Sequence, residues 1–178
     1  MGTASSAKHK ILQAAASVVE RDGAGHLTLD AVAEESKLSK GGLLYHFPNK
    51  RALLNGMLEH LLQRIEERQA LEQPGAAPAA STVSALINAQ RSQNEEERAM
   101  ERAILAAAAE DPSLLDPARE VLELWFANAR QEGGYGVLLL LAVQGLRFME
   151  MLNLLELVPA ERNDLYAQMT QLAAGDKP

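Results

Sequence analysis

The sequence predicts an all-α protein, and three observations carry that prediction. Alanine, leucine, glutamate and glutamine abound, and helices built from them lose little side-chain entropy. Apolar residues recur at three- and four-residue spacing in segment after segment, and no stretch has the β-branched alternation of a strand. Hydrophobic residues make up 47% of the 178 and aromatic residues only 4%, which suits a core of aliphatic helix contacts.

The elements follow in order. Lys8 to about Asp22 is amphipathic, with Ile11, Leu12, Ala15, Val18 and Val19 on one face. Gly23-Ala24-Gly25 ends that helix, because glycine takes the left-handed conformation that closes one. Thr28 is the N-cap of a short helix reaching about Ser36, and Ser39 caps a second, Lys40 to His46. Pro48 stops the second, and Asn49 caps a long helix from Lys50 to about Leu71 with a stripe of Leu54, Met57, Leu58, Leu61, Leu62 and Ile65. Two prolines and a glycine make residues 73–81 a linker. Helices are then expected over Thr82–Arg91, from an Asn94 cap through Glu95, Glu96 and Glu97, and over Ala118–Gln131 after breaks at Asp111-Pro112 and Asp116-Pro117. Gly133-Gly134 precedes a helix from Val137 to Leu157, and Pro159 opens the last, to about Ala173. The expected organisation is about nine helices in three parts: a three-helix domain over 1–49, a connecting helix over 50–72, and a helical bundle over 73–178.

Several function classes fall away. Without cysteine there is no disulfide, thiolate metal site or cysteine nucleophile, as suits a reducing cytoplasm. His9, His26, His46 and His60 have no ligand-type partner at i,i+4, so no metal site is expected. No Ser–His–Asp or paired-carboxylate arrangement stands out, so neither an enzyme nor a cofactor is expected. Gly41-Gly42 is not a phosphate loop, because no strand precedes it. The apolar stretch Val137–Val158 contains Arg147, Glu150 and Glu156, so no membrane span is expected. Ile11–Val19 is too short and too polar at its end for a secretory signal.

The net charge of −7 is unevenly spread: residues 1–50 carry +1 and residues 51–178 carry −8. No acidic residue lies between Ser36 and Leu58, a window holding Lys37, Lys40, His46, Lys50 and Arg51. Phosphate binding depends on the potential within about one Debye length, roughly 8 Å, so the distant acidic half does not cancel it.

The two short helices meet around Lys37-Leu38-Ser39, a connection of helix-turn-helix length. Ala33 lets their axes approach, and Leu38 and Leu43 fill the wedge, closed from below by Leu53 and Leu54. The second helix then presents Lys40, Gly41, Gly42, Leu44, Tyr45 and His46 outward to a major groove about 12 Å wide, with Ser39 at its cap. Structural alternatives stand beside this reading: Tyr45 as a core aromatic, His46 as a C-terminal helix residue serving the dipole, Lys40 and Lys50 as plain surface charges.

The N-terminal part resembles the TetR family of bacterial regulators. The resemblance rests on Thr28-Leu29, Val32-Ala33, the run Leu38-Ser39-Lys40-Gly41-Gly42-Leu43-Leu44-Tyr45-His46-Phe47-Pro48-Asn49-Lys50, and Arg51-Ala52-Leu53-Leu54. It is strong over about the first 65 residues and continues beyond only in helix order and length. It implies a homodimeric DNA-binding regulator on double-stranded DNA, at a palindromic operator, and usually repression relieved by a small molecule. By the same resemblance Thr28 bonds a phosphate, Lys40 a phosphate or guanine edge, Tyr45 and His46 the backbone and bases, and Lys50 a phosphate. Leu43 and Phe47 belong to the small core. Three positions depart from the family pattern: Gly42 stands where Thr or Ser is common, Leu44 where Tyr is, and Lys37 where the turn usually has glycine.

In the family the last two long helices pair with their mates, and here Leu138, Gly145, Met149, Leu152, Leu165 and Met169 are the candidate dimer residues. Val143 and Leu146 are also expected to bury there. Aromatic and methionine side chains gather in the second half, and Met100, Ile104, Trp125, Phe126, Gln144 and Phe148 are the candidate lining of a pocket for a hydrophobic or aromatic effector. Residues of this kind at helical spacing are also what plain core looks like. Arg147 and Glu150 are spaced as an i,i+3 surface pair.

Overall fold

Four helices in this chain begin where a polar side chain just before them accepts an otherwise unpaired N–H group of the first turn. In the computed structural model, which describes residues 3–72, 83–132 and 134–174, Thr28 Oγ1 accepts from Ala31 at 3.1 Å, Ser39 Oγ from Gly42 at 3.1 Å, and Asn49 Oδ1 from Ala52 at 2.8 Å. Asn94 and Glu97 form a reciprocal capping box. Nine α-helices result among the described residues: α1 (Thr3–Asp22), α2 (Leu29–Ser36), α3 (Lys40–His46), α4 (Lys50–Glu72), α5 (Val83–Arg91), α6 (Glu95–Ala108), α7 (Asp116–Glu132), α8 (Gly136–Met151) and α9 (Pro159–Ala173). The linker expected over 73–81 lies outside the described residues. None of the described helices is long and apolar enough to cross a membrane.

The chain divides into two units. The first joins the residues up to Leu62 with Asn94–Pro117. Its core takes Ile11, Ala15 and Val18 from α1, Val32 from α2, Leu43 and Phe47 around α3, Leu53 and Met57 from α4, and Met100 and Ile104 from α6. The sequence groups α6 with the C-terminal bundle; in the structure it packs on α1. Ala99, Met100, Ala103 and Ile104 form its buried stripe, and Ala14, Ala15 and Ala16, small and buried around α1, let neighbouring helices approach closely. Arg21 ties α1 to α2 by donating to Glu35, and its hydrogen bond to its neighbour Asp22 holds that carboxyl below the usual range.

A second tie closes the unit. Arg51, the second residue of α4, donates to Asp111 Oδ2 and to Ser113 Oγ at the 3-10 turn Pro112–Leu115. Phe47 is buried against α4 at Gly56, where a Cβ would stand 2.5 Å from the ring. Only a glycine fits that approach.

The second unit comprises Gln63–Gln93 and the residues from Ala118 on. Val83, Leu86 and Ile87 of α5, Trp125 and Ala129 of α7, Leu139, Leu140, Val143 and Leu146 of α8, and Tyr166 of α9 make its core. The Glu132 carboxylate accepts from Val83 N at the start of α5. Arg162 of α9 donates to Glu150 of α8 at 2.8 Å and lies over the Tyr166 ring.

Two expectations about the second half of the chain are corrected. Asp116-Pro117 does not break the chain but opens α7, since a proline in the first turn forfeits no helical hydrogen bond. The helix expected to reach Leu157 stops at Met151, where Asn153 takes φ 53° and Leu154 N bonds Met149 O while Asn153 N bonds Glu150 O. That pattern is a Schellman motif, and asparagine is the residue other than glycine that most readily adopts its left-handed position.

Candidate nucleic-acid interface

The helix-turn-helix is built from its turn outward. At the end of α2, Lys37 N bonds Glu34 O at 3.1 Å and Leu38 N bonds Ala33 O at 3.2 Å, again a Schellman pattern. The residue that closes it, Lys37, has φ 56° and ψ 30°, left-handed for a residue with a Cβ. The reversal sends the chain straight to Ser39, whose hydroxyl caps α3. Leu38 is half-buried and Leu43 fully so, and Leu53 and Leu54 are buried beneath them.

All nine candidate contact residues fall in the first unit. Thr28 and Ser39 are exposed at the caps of α2 and α3; each hydroxyl accepts a backbone N–H and keeps its own proton to donate. Lys40 is exposed, and its Nζ lies 2.7 Å from Asp30 Oδ1. Gly41 is exposed, with open space where a Cβ would project; at Gly42 a Cβ would sit 3.2 Å from the Ser39 hydroxyl. Leu44 is half-buried. Tyr45 is 84% exposed, which removes the core-aromatic alternative. His46 is half-buried, with its ring edge-on to Tyr45 at 5.2 Å between centroids. Lys50 is exposed at the first position of α4.

The structure also redistributes the cationic window. Arg51 belongs to Asp111 and Ser113, so the window loses one of its charges to the fold. Asp30, which the sequence reading passed over, lies beside Lys40. No signal in the sequence joins residues ten apart across a turn of unknown geometry. Gly56 was missed for the same reason.

Residues 11–57 match the model for bacterial regulatory proteins of the tetR family, and residues 80–174 match the tetracyclin repressor-like C-terminal domain. The chain belongs to the TetR family. It is therefore a DNA-binding transcription regulator and not an enzyme. No curated protein matches it. Among solved structures it resembles a transcriptional regulator of Rhodococcus sp. Rha1 at 20% identity and TM-score 0.67, covering 94% of each chain. It resembles the fatty acid degradation regulator FadR of Bacillus halodurans at 15% identity and TM-score 0.67, covering 96% of this chain and 99% of that one. The triclosan complex of SmeT is similar at 20% identity and TM-score 0.63, covering 94% and 91%.

The remaining candidate residues of this TetR-family chain are distributed as follows. Met100 and Ile104 are buried in the first unit, whereas Trp125, Phe126, Gln144 and Phe148 belong to the second, so the six do not share one core. Trp125 is in the second core with Phe126 packed against it, and the Gln144 carbonyl is buried without a hydrogen-bond partner among the described residues. Phe148 is 48% exposed. A depression of about 480 Å³ on α7 is lined by Arg119, Leu122, Glu123, Phe126 and Arg130.

On α8, Val143 and Leu146 face the unit's own core rather than a partner, because they fall in register with Leu139 and Leu140. The opposite face carries Leu138, Leu141, Phe148, Met149 and Leu152 exposed, with half-exposed Gly145 between them and open space at its Cα. On α9, Leu165 and Met169 are partly buried against the core. Glu150, spaced to pair with Arg147, accepts from Arg162.

Proposed function

We propose that this regulator is a homodimeric repressor that grips a palindromic operator through α3 and is released by a small hydrophobic or aromatic effector. The observation that carries the DNA contact is Tyr45, a large aromatic side chain 84% exposed on a seven-residue helix. No folding requirement accounts for it there, and it has Lys40, His46 and the Ser39 hydroxyl on the same helix and cap. Thr28, through its free hydroxyl proton, and Lys50, at the start of α4, bind phosphates; Gly41, Gly42 and Leu44 leave room for the groove edge.

Dimerisation is supported by α8. Leu138, Leu141, Gly145, Phe148 or Met149, and the C-cap Leu152 follow one another at three- or four-residue spacing, and an apolar stripe of that length left in water calls for a partner. Gly145 suits close approach of a second α8, and Leu165 and Met169 of α9, only partly buried, are the further candidates for that seam. A two-fold dimer matches a palindrome, whose half-sites are read about one helical turn of DNA apart.

Effector release is supported by analogy with SmeT, solved with triclosan, and with EbrR, described as a multidrug binding protein complexed with imidazole. In this chain Trp125, Phe126 and Gln144 of the second unit are the residues to bind such a compound. The exposure of Phe148 favours a second reading in which the second unit serves dimerisation or a protein partner and no effector binds. Either way the protein acts in the cytoplasm, at the nucleoid.

Selection of bound duplexes from random DNA tests the central reading. The expected product is a palindrome with half-site centres about one helical turn or slightly more apart; a pool with no enriched sequence rejects it. Thermal stabilisation by lipophilic compounds separates the two effector readings.

A further inference from the structure

We infer that Asp30 and Lys40 work as a pair that reads one C·G base pair in each operator half-site, an inference that rests on the DNA-binding reading above. Asp30 lies in the first turn of α2 and Lys40 is the first residue of α3, and the carboxylate oxygen and ammonium nitrogen are 2.7 Å apart. Their side chains are 74% and 63% exposed. An ion pair so open to water contributes little to stability. Nor does helix polarity account for it: Asp30 suits the N-terminus of α2, but a lysine at the N-terminal end of α3 is on the disfavoured side.

The pair is equally ill-suited to a phosphate. Lys40 attracts the phosphate, Asp30 repels it, and the two together are neutral. A base-pair edge is a different target. In the major groove guanine offers O6 and N7 as acceptors, and cytosine offers its N4 amino group as donor. N4 and O6 are hydrogen-bonded to each other, so they are about 2.9 Å apart, close to the separation of the Asp30 oxygen and the Lys40 nitrogen. An ammonium has three donors and a carboxylate about four acceptor sites, so each can keep the ion pair and still reach a base. Lys40 donates to O6 and N7 of guanine while Asp30 accepts from N4 of cytosine.

An A·T pair also sets an amino donor beside a carbonyl acceptor, but its neighbours are wrong. The thymine O4 is flanked by the C5 methyl instead of a second acceptor, and the adenine N6 by N7, which repels a carboxylate. The pair therefore prefers C·G. At exposed Gly41, next to Lys40, open space where a side chain would project leaves the approach clear.

The test is duplex selection with the full-length wild type, Asp30→Ala and Asp30→Asn, followed by affinity measurements on the wild-type operator and on operators with that C·G pair changed to A·T. Far-ultraviolet circular dichroism confirms that the variants fold. Wild type is expected to select C·G at one position of each half-site, and Asp30→Ala to lose about tenfold or more of the discrimination there and nowhere else. Asp30→Asn is expected to shift the cytosine position toward adenine, because a side-chain amide pairs with N6 and N7 of that base. Asp30→Ala should also bind unrelated duplex more tightly, one negative charge having gone. If wild type selects an operator and both variants keep its base preferences, the inference is overturned and the DNA-binding reading stands. If wild type selects nothing, both fall.

Discussion

Replacing Lys37 by glycine should stabilise this protein, although the side chain is exposed. Lys37 holds φ 56° and ψ 30° at the turn between α2 and α3, where its amide and that of Leu38 close the Schellman motif. A residue with a Cβ in this conformation is strained by about 1–2 kcal/mol relative to one without. Glycine loses more backbone freedom on folding, a penalty of roughly 0.5–1 kcal/mol. The difference leaves a net gain of about 0.5–1 kcal/mol, or roughly 1–4 °C in the unfolding midpoint for a chain of this size. Lys37→Ala is the control, since it removes the same charge and keeps the strain. Thermal unfolding followed by circular dichroism should rank glycine above both lysine and alanine. Hydrogen exchange at the Leu38 amide reports the turn itself and should slow in the glycine variant alone. A glycine variant no more stable than the alanine variant would refute the strain assignment.

Other perturbations read other parts of the structure. Gly56→Ala brings a Cβ to within 2.5 Å of the Phe47 ring and should destabilise the protein by about 1–3 kcal/mol in urea unfolding. Asp111 accepts from Ser113 and faces Arg51, which together hold its carboxyl below its ordinary value of 3.8. The stability it contributes is complete above that value and is lost as pH falls through the lowered one, so Asp111→Asn should flatten the acid limb of a stability–pH profile below about pH 4. Leu138→Glu combined with Met149→Glu changes only side chains about half or more exposed, so sedimentation should show a dimer for wild type, as proposed, and a folded monomer for the double variant.

The elements that could be read from the sequence are those with local chemistry. Thr28, Ser39, Asn49 and Asn94 announce their helices because a cap needs only residues three positions apart, and the α3 run is specific enough to name the family. What depended on tertiary geometry was not legible. Asn153 ends α8 early by a left-handed turn that leucine-rich flanks disguise as continued helix. The faces of α8 could not be told apart because both are apolar; the structure sorts Val143 and Leu146 inward and Leu138 and Met149 outward. Met100 and Ile104 look like any buried pair until α6 is seen against α1. On the proposed DNA-binding surface, the side chains could be read from the sequence but not the Asp30–Lys40 pairing or the claim of Asp111 on Arg51.

The surface around α3 is tested most directly by the salt dependence of binding to the selected operator, for wild type and Lys50→Ala, with Tyr45→Ala beside them. Loss of one phosphate contact per half-site should weaken binding at every salt concentration and lower the slope of log K against log salt by about 0.9 for each contact removed. Tyr45→Ala should change which sequences are preferred. Unaltered slopes and unaltered preference in both variants would contradict the assignment of this surface to DNA.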